Sequence, residues 1–305
     1  MQDLIRKTKY TILQVWKRSS FRPAPKLAFC VVLLTPHISL AETNIGERKR
    51  IVSIGGSITE IVYALGQQDR LVARDSTSTY PVEATELPDV GYMRALSPEG
   101  VLSVGPELII AEAGSGPQET IDLLAEASIP FITIPNSYSR AGVIAKVIAV
   151  GDALAMQPEA ANLAHKLNED LQAAEEQSRS FDGVRKKVIF ILSTRGGKIL
   201  TSGSNTAADG IIKMAGGINA ISAFEGYKPL SEEAVTVAAP DVILMMDRDG
   251  DHDTANDVLF AMPAISTTPA AKTQAIIRMN GLYLLGFGPR TATAVTELHN
   301  ALYAE

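Results

Sequence analysis

Tyr80 lies in a polar loop, Arg74-Asp75-Ser76-Thr77-Ser78-Thr79-Tyr80-Pro81, directly before a proline. The proline restricts the preceding backbone to extended conformations, which leaves the phenol free to point into a cleft. An ionised phenol is a hard oxygen donor suited to ferric iron. The competing reading is a surface-loop tyrosine, and spacing alone does not choose between the two. Two further segments place an aromatic ring beside a cation: Gly91-Tyr92-Met93-Arg94 and Gly226-Tyr227-Lys228-Pro229. Arg94 and Lys228, with Arg195 as a third candidate, are suited to pairing with ligand carboxylates, although each reads equally as a solvated surface charge. Glu99 and Glu233 occupy equivalent places in a repeated motif. Either they are first-turn acids that complement a helix dipole, or they are paired acidic knobs for a partner with two-fold symmetry.

Other chemistries find no support. Beyond residue 41 the chain has three histidines, His165, His252 and His299, too scattered for a zinc site, and both His165 and His299 read as solvated. The acidic run Asp247-Arg248-Asp249-Gly250-Asp251-His252-Asp253 lacks the glycine and glutamate that a calcium-binding EF-hand needs at the sixth and twelfth positions. Gly55-Gly56-Ser57 and Gly286-Phe287-Gly288 both fall short of the dinucleotide fingerprint. No pairing of nucleophile and base is visible, so the chain does not read as an enzyme.

The elements that must position these residues come from a duplication. The sixteen residues from Leu96 to Ala111 recur from Leu230 to Met245, an offset of 134. Each copy reads as a short amphipathic helix between a serine cap and a proline stop, followed by a hydrophobic strand. Ile61-Val62-Tyr63-Ala64-Leu65-Gly66 likewise matches Ile211-Ile212-Lys213-Met214-Ala215-Gly216, at an offset of 150. Two matching halves imply two lobes with a ligand cleft between them, and the differing offsets place an insertion carrying Tyr80 in the first. Strands alternate with helices in each half, which predicts an α/β fold of two Rossmann-like lobes with parallel sheets. Between the halves, the pattern predicts a helix from Pro158 to about Ser178 with Leu163, Leu167, Leu171 and Ala174 on one stripe, a stiff connector that allows small lobe movements. The expected boundaries are 1–41 for a signal peptide, 42–155 for the N-terminal lobe, 156–180 for the connecting helix and 181–305 for the C-terminal lobe.

The signal peptide is read from seven basic residues, an apolar run from Leu27 to Leu34 and small residues before Glu42. The apolar run is far shorter than the roughly 20 residues a membrane span needs, and Phe29 before Cys30 argues against a lipoprotein. Removing residues 1–41 takes seven of the 28 basic residues and one of the 34 acidic ones, leaving 21 against 33 and no cysteine. That acidic balance argues against nucleic acid and anionic membrane surfaces as partners.

Several segments together resemble the haemin-binding periplasmic proteins of bacterial ABC importers. They are 50–66, the loop 75–81, 91–97, Thr206-Ala207-Ala208-Asp209-Gly210, and Met279 to Arg290 with its Gly286-Phe287-Gly288-Pro289-Arg290 end. The repeat alone is shared with the wider class that also binds cobalamin and siderophores, whereas the Tyr80 loop and the 286–290 segment are similar to the haem binders. The resemblance implies a class III periplasmic binding protein, with two lobes joined by a long rigid helix. It further implies haem as the transported ligand in the cleft, delivered by a monomer in the periplasm to a permease with a cytoplasmic ATPase. By position, Tyr80 matches the axial iron ligand. Arg94, Tyr92, Arg195, Tyr227 and Lys228 are the candidate propionate or cleft contacts, and Glu99 and Glu233 match the acids that dock on the permease. The alternatives are a siderophore or cobalamin carrier and a chelatase-like haem-handling enzyme.

Overall fold

The computed structural model describes residues 48–247 and 254–303. The expected signal peptide, with Cys30, and residues 248–253 of the acidic run, with His252, lie outside the described residues. In the N-terminal half, β1 (Ile51–Ile54), β2 (Leu71–Arg74), β3 (Leu108–Glu112) and β4 (Phe131–Ile134) form one sheet in the order β2-β1-β3-β4, parallel throughout. Every residue of β1 and β3 is buried, which is why these strands read as unbroken apolar runs: a parallel sheet is covered on both faces. The helices α1 (Gly56–Ala64), α2 (Pro98–Leu102) and α3 (Gln118–Glu126) connect them.

The C-terminal half repeats that plan and adds to it. Strands β5 (Lys187–Ser193), β7 (Ile218–Asn219), β9 (Val242–Asp247) and β10 (Ile276–Asn280) run in parallel in the order β7-β5-β9-β10, the counterpart of β2-β1-β3-β4. On the β5 edge, β6 (Ile199–Ser202) and β8 (Tyr227–Leu230) pair antiparallel, giving a mixed sheet where parallel strands alone were expected. The reason is local. After β5 the chain reverses through Gly196 and Gly197, both at positive φ, a turn too short for the helical crossover that a parallel neighbour requires. Helices α6 (Ala207–Met214), α7 (Glu232–Ala238), α8 (Asn256–Ala261), α9 (Pro263–Ser266), α10 (Pro269–Thr273), α11 (Gly281–Leu285) and α12 (Thr291–Tyr303) complete this half.

The duplication holds down to single hydrogen bonds. In α2 the Ser97 side chain accepts from the Gly100 amide at 3.0 Å, and in α7 Ser231 accepts from the Ala234 amide at 3.2 Å; both satisfy a helix-start donor. Val101 and Val235, at matching positions, are completely buried in the cores of their respective lobes. Helices α1 and α6 end alike, with Gly66 and Gly216 at positive φ, Gln67 donating to the Val62 carbonyl and Gly217 to that of Ile212. That is the paired-bond helix ending for which glycine is favoured.

Two helices tie the lobes together. The helix α5 (Gln157–Ser180) has 24 residues, about 36 Å at 1.5 Å per residue. Its stripe is divided: Ala160, Ala164 and Leu167 are buried in the N-terminal core, and Leu171 and Ala174 in the C-terminal one. The helix α4 (Arg140–Leu154) packs beside it and is divided in the opposite sense, with Val143 in the C-terminal core and Val147, Val150 and Leu154 in the N-terminal one. Arg140 joins the pair, 3.2 Å from Glu175 and 2.7 Å from Asn168. Bending between the lobes would expose apolar surface on both helices at about 25 cal/mol per Å², so the connection is stiff.

Candidate functional site

Tyr80 is positioned by the α1 helix start. Asp75 is wholly buried and its carboxylate accepts four hydrogen bonds: from the Gly55 amide at 2.9 Å, the Thr77 amide at 3.0 Å, Thr77 Oγ1 at 2.7 Å and Ser78 Oγ at 2.8 Å. Ser78 continues through Thr59 to Ser53 by two contacts of 2.7 Å. The unpaired amides at the start of α1 thus find their acceptors in the loop, Gly56 donating to Thr77 Oγ1 at 3.0 Å, and an anion at a helix N-terminus is favoured. A side chain on Gly56 would have no room, because its Cβ would lie 2.5 Å from Leu282 Cδ1 and 2.6 Å from the Thr77 carbonyl oxygen.

This anchored loop ends at Tyr80, which is 43 % exposed. The ring does not stand alone. The guanidinium carbon of Arg290, from the C-terminal lobe, lies 3.5 Å from its centroid and 5.2 Å from that of Tyr283. Glu60 of α1 holds Arg290 by Nε at 3.0 Å, Nη2 at 3.0 Å and the backbone amide at 3.2 Å. Burial, aided by hydrogen bonding to Glu297, pushes the Tyr283 phenol up to about 12, against the opposing charge of Arg290.

Deeper between the lobes, Lys146 of α4 is fully buried and donates to Glu112 Oε1 at 2.8 Å, Ser57 Oγ at 2.9 Å and the Gly286 carbonyl at 3.1 Å. Burial pulls the lysine down from its ordinary value, and Glu112 opposes that shift. Glu112 sits at the carboxyl end of β3, where ligand sites in α/β sheets gather. Tyr138, half-buried, is pushed up by burial and by Glu112, with Arg94 opposing. Its ring packs edge-on against Phe287 at 5.4 Å.

Arg94 and Tyr227, on different lobes, are within electrostatic reach of each other. Burial pushes the Tyr227 phenol up and Tyr138 adds to the shift, while hydrogen bonding at Thr206 and the Ala208 backbone and the charge of Arg94 oppose it. Arg94 also donates to the Tyr92 hydroxyl at 2.8 Å. Arg94 therefore hydrogen-bonds Tyr92 within its own lobe and acts on Tyr227 of the other only through its charge. Lys228 lies 5.2 Å from the Phe224 ring, and Arg195 is exposed in a short 3-10 turn at the carboxyl end of β5; among the described contacts neither reaches this group. Glu99 and Glu233 are exposed at the same position of the first turn in α2 and α7.

Residues 51–281 match the model of a periplasmic binding protein family. This chain belongs to that family. Among solved structures, the family member described here is similar to the periplasmic haem-binding protein RhuT of Roseiflexus sp. RS-1 in apo form, at 38 % identity, covering 84 % of this chain and 98 % of that one with a TM-score of 0.80. It is equally similar, at 38 % identity and a TM-score of 0.79 over 83 % of this chain and 97 % of the other, to the periplasmic haem-binding protein BhuT in complex with two haems. Among curated proteins, the vitamin B12-binding protein of Yersinia pseudotuberculosis (strain IP 31758) is 29 % identical over 90 % of this chain and 92 % of its own length. The chain is a periplasmic substrate-binding protein of this family.

Several residues that join the two lobes carry weaker sequence signals. Lys146 had a signal, as the one cation in the apolar helical run from Val143 to Val150. Glu60 is similar, a buried acid among the apolar residues of α1. Arg290 ended a segment noted for its likeness but not for its chemistry. His299, expected to be solvated, is buried with Nδ1 3.0 Å from the Ala215 carbonyl oxygen, because α12 packs that face on α6. His165 is exposed, 3.7 Å from Glu169.

Proposed function

We propose that this protein binds haem in the cleft between its lobes, with Tyr80 as the ferric iron ligand, and delivers it in the periplasm to the permease of an ABC importer with a cytoplasmic ATPase. The observation that carries this reading is the setting of Tyr80, an exposed phenol on a loop fixed by a buried carboxylate and backed by a cation from the opposite lobe. A hard oxygen donor held at a cleft rim suits ferric iron. Tyr92, Arg94 and Tyr227 supply aromatic surface and a cation for a flat, apolar ligand with carboxylate arms, and Lys228 and Arg195 are assigned to the propionates on the same chemistry. Residues 1–41 serve as the export signal, 42–155 and 181–305 as the lobes, and 156–180 as the connector.

The carrier performs no chemistry on its cargo and acts as a monomer. Glu99 and Glu233, exposed at matching positions of α2 and α7, serve as the acids by which each lobe docks on the permease. The vitamin B12-binding relatives supply the second reading, a cobalamin carrier of the same architecture, in which Tyr80 would be a side-wall contact. Addition of haemin to the purified protein tests both. A tyrosinate-type ferric spectrum that Tyr80→Phe abolishes supports the haem carrier, and an unchanged spectrum in that variant removes the ligand assignment. Binding of cobalamin with no response to haemin favours the second reading.

A further inference from the structure

We infer that Arg290 is a positioning residue for Tyr80, a cation delivered by one lobe, anchored by the other, and pressed against the ring of the iron ligand. The inference rests on Tyr80 as the ligand proposed above. Arg290 stands at the start of α12, where Phe287, in the bend before it, is buried in the C-terminal core at positive φ. Its edge is occupied by Glu60 of the N-terminal lobe through a two-pronged pairing at 3.0 Å. A guanidinium bound this way has its face left over, and that face meets the Tyr80 ring at 3.5 Å, well inside the range of cation–π attraction.

Two consequences follow for bound haem. Tyr80 comes from a loop whose last residue is exposed, so the loop network fixes its backbone while the Arg290 face restricts its ring, and a restrained ligand loses less freedom on binding. A positive charge at the ring of an iron ligand also opposes the extra charge of the ferric state, and so raises the reduction potential of the iron. Because Arg290 joins both lobes, the ring is held only while the lobes keep their spacing.

The test is made on the haem-loaded full protein with Arg290→Gln and Arg290→Lys. The expected result for Arg290→Gln is haemin transfer to excess apomyoglobin about 5- to 30-fold faster, the range a cation–π contact supplies, with a more negative reduction potential. Arg290→Lys, which restores the charge without the planar face, is expected to recover the potential more fully than the transfer rate. Loss of an interlobe ion pair alone would lower the melting temperature of the apo protein without moving the potential. An Arg290→Gln protein with wild-type transfer rate and potential overturns the inference. Should that variant fail to fold, an unchanged transfer rate in Arg290→Lys overturns it equally. A Tyr80→Phe protein that keeps the wild-type ferric spectrum removes the iron-ligand reading itself, whereas loss of that spectrum alongside an inert Arg290→Gln removes this inference alone.

Discussion

Lys146 and Glu112 form an ion pair of 2.8 Å with the lysine wholly out of solvent, and the third hydrogen bond of that ammonium crosses to the Gly286 carbonyl of the other lobe at 3.1 Å. A charge is expensive to bury, and the cost is offset here because all three donors are used: on Glu112, Ser57 and Gly286. Removing one partner leaves the other stranded. Lys146→Met is expected to destabilise the protein by about 3–5 kcal/mol, and Lys146→Met with Glu112→Leu to recover most of that loss. Urea denaturation of the two variants measures the difference. A double variant no more stable than the single one would show that Glu112 does not need the lysine.

Asp75 fixes the Tyr80 loop through four accepted hydrogen bonds. Asp75→Ala leaves buried donors at Gly55, Thr77 and Ser78 without an acceptor, for an expected loss of about 3 kcal/mol in stability. In the haem reading, the same variant is expected to lose about tenfold or more in haemin affinity, as supporting residues of metal ligands do. Spectroscopic titration with haemin, on protein shown to be folded by circular dichroism, checks this. Wild-type affinity in a folded Asp75→Ala protein would mean that the loop does not set the phenol.

Glu99 and Glu233 should separate delivery from binding. Charge reversal at both, Glu99→Lys with Glu233→Lys, is expected to abolish uptake supported by this carrier while its haemin affinity and melting temperature stay at wild-type values. Under the proposed docking role, reversed charges would repel the partner surface, and among the described contacts neither carboxylate has a side-chain partner within the fold. Each single variant should fall between. Uptake assays with the binding titration run alongside decide it, and a parallel loss of affinity would contradict a docking role.

Tyr283 gives the protein an alkaline limit. Burial, followed by hydrogen bonding to Glu297, pushes its phenol up to about 12. The folded protein therefore keeps a proton that the unfolded chain loses near its ordinary value of 10.0, so stability falls as pH rises from the unfolded value through the folded one. Tyr283→Phe removes this contribution. The wild-type melting temperature is expected to drop faster than that of the variant between about pH 10 and about pH 12, and parallel curves would contradict the assignment.

The two repeats made the scaffold legible without coordinates. Serine caps, proline stops and buried valines at matching positions specify the same helix–strand unit twice, because capping and apolar periodicity are local and sequence carries them directly. The stripe of α5 was equally visible in Leu167 and Leu171, whereas its division between two cores was not. What could not be read was any relation in which a residue's partner is distant along the chain. Glu60 and Arg290 are 230 positions apart and Lys146 and Gly286 are 140 apart, and no periodicity links such pairs.

By itself, then, the sequence determined two like lobes, a stiff helix between them, and a tyrosine in the one loop the duplication does not explain. Only the tertiary structure decided that this tyrosine faces a cation from the opposite lobe, that a lysine in an apolar helix is buried against a carboxylate of one lobe and a carbonyl of the other, and that an antiparallel pair extends the second sheet. The physical reason is that local elements follow from short-range sterics and patterning, whereas these contacts exist only after burial has brought distant chain segments together and buried charges have found their partners there.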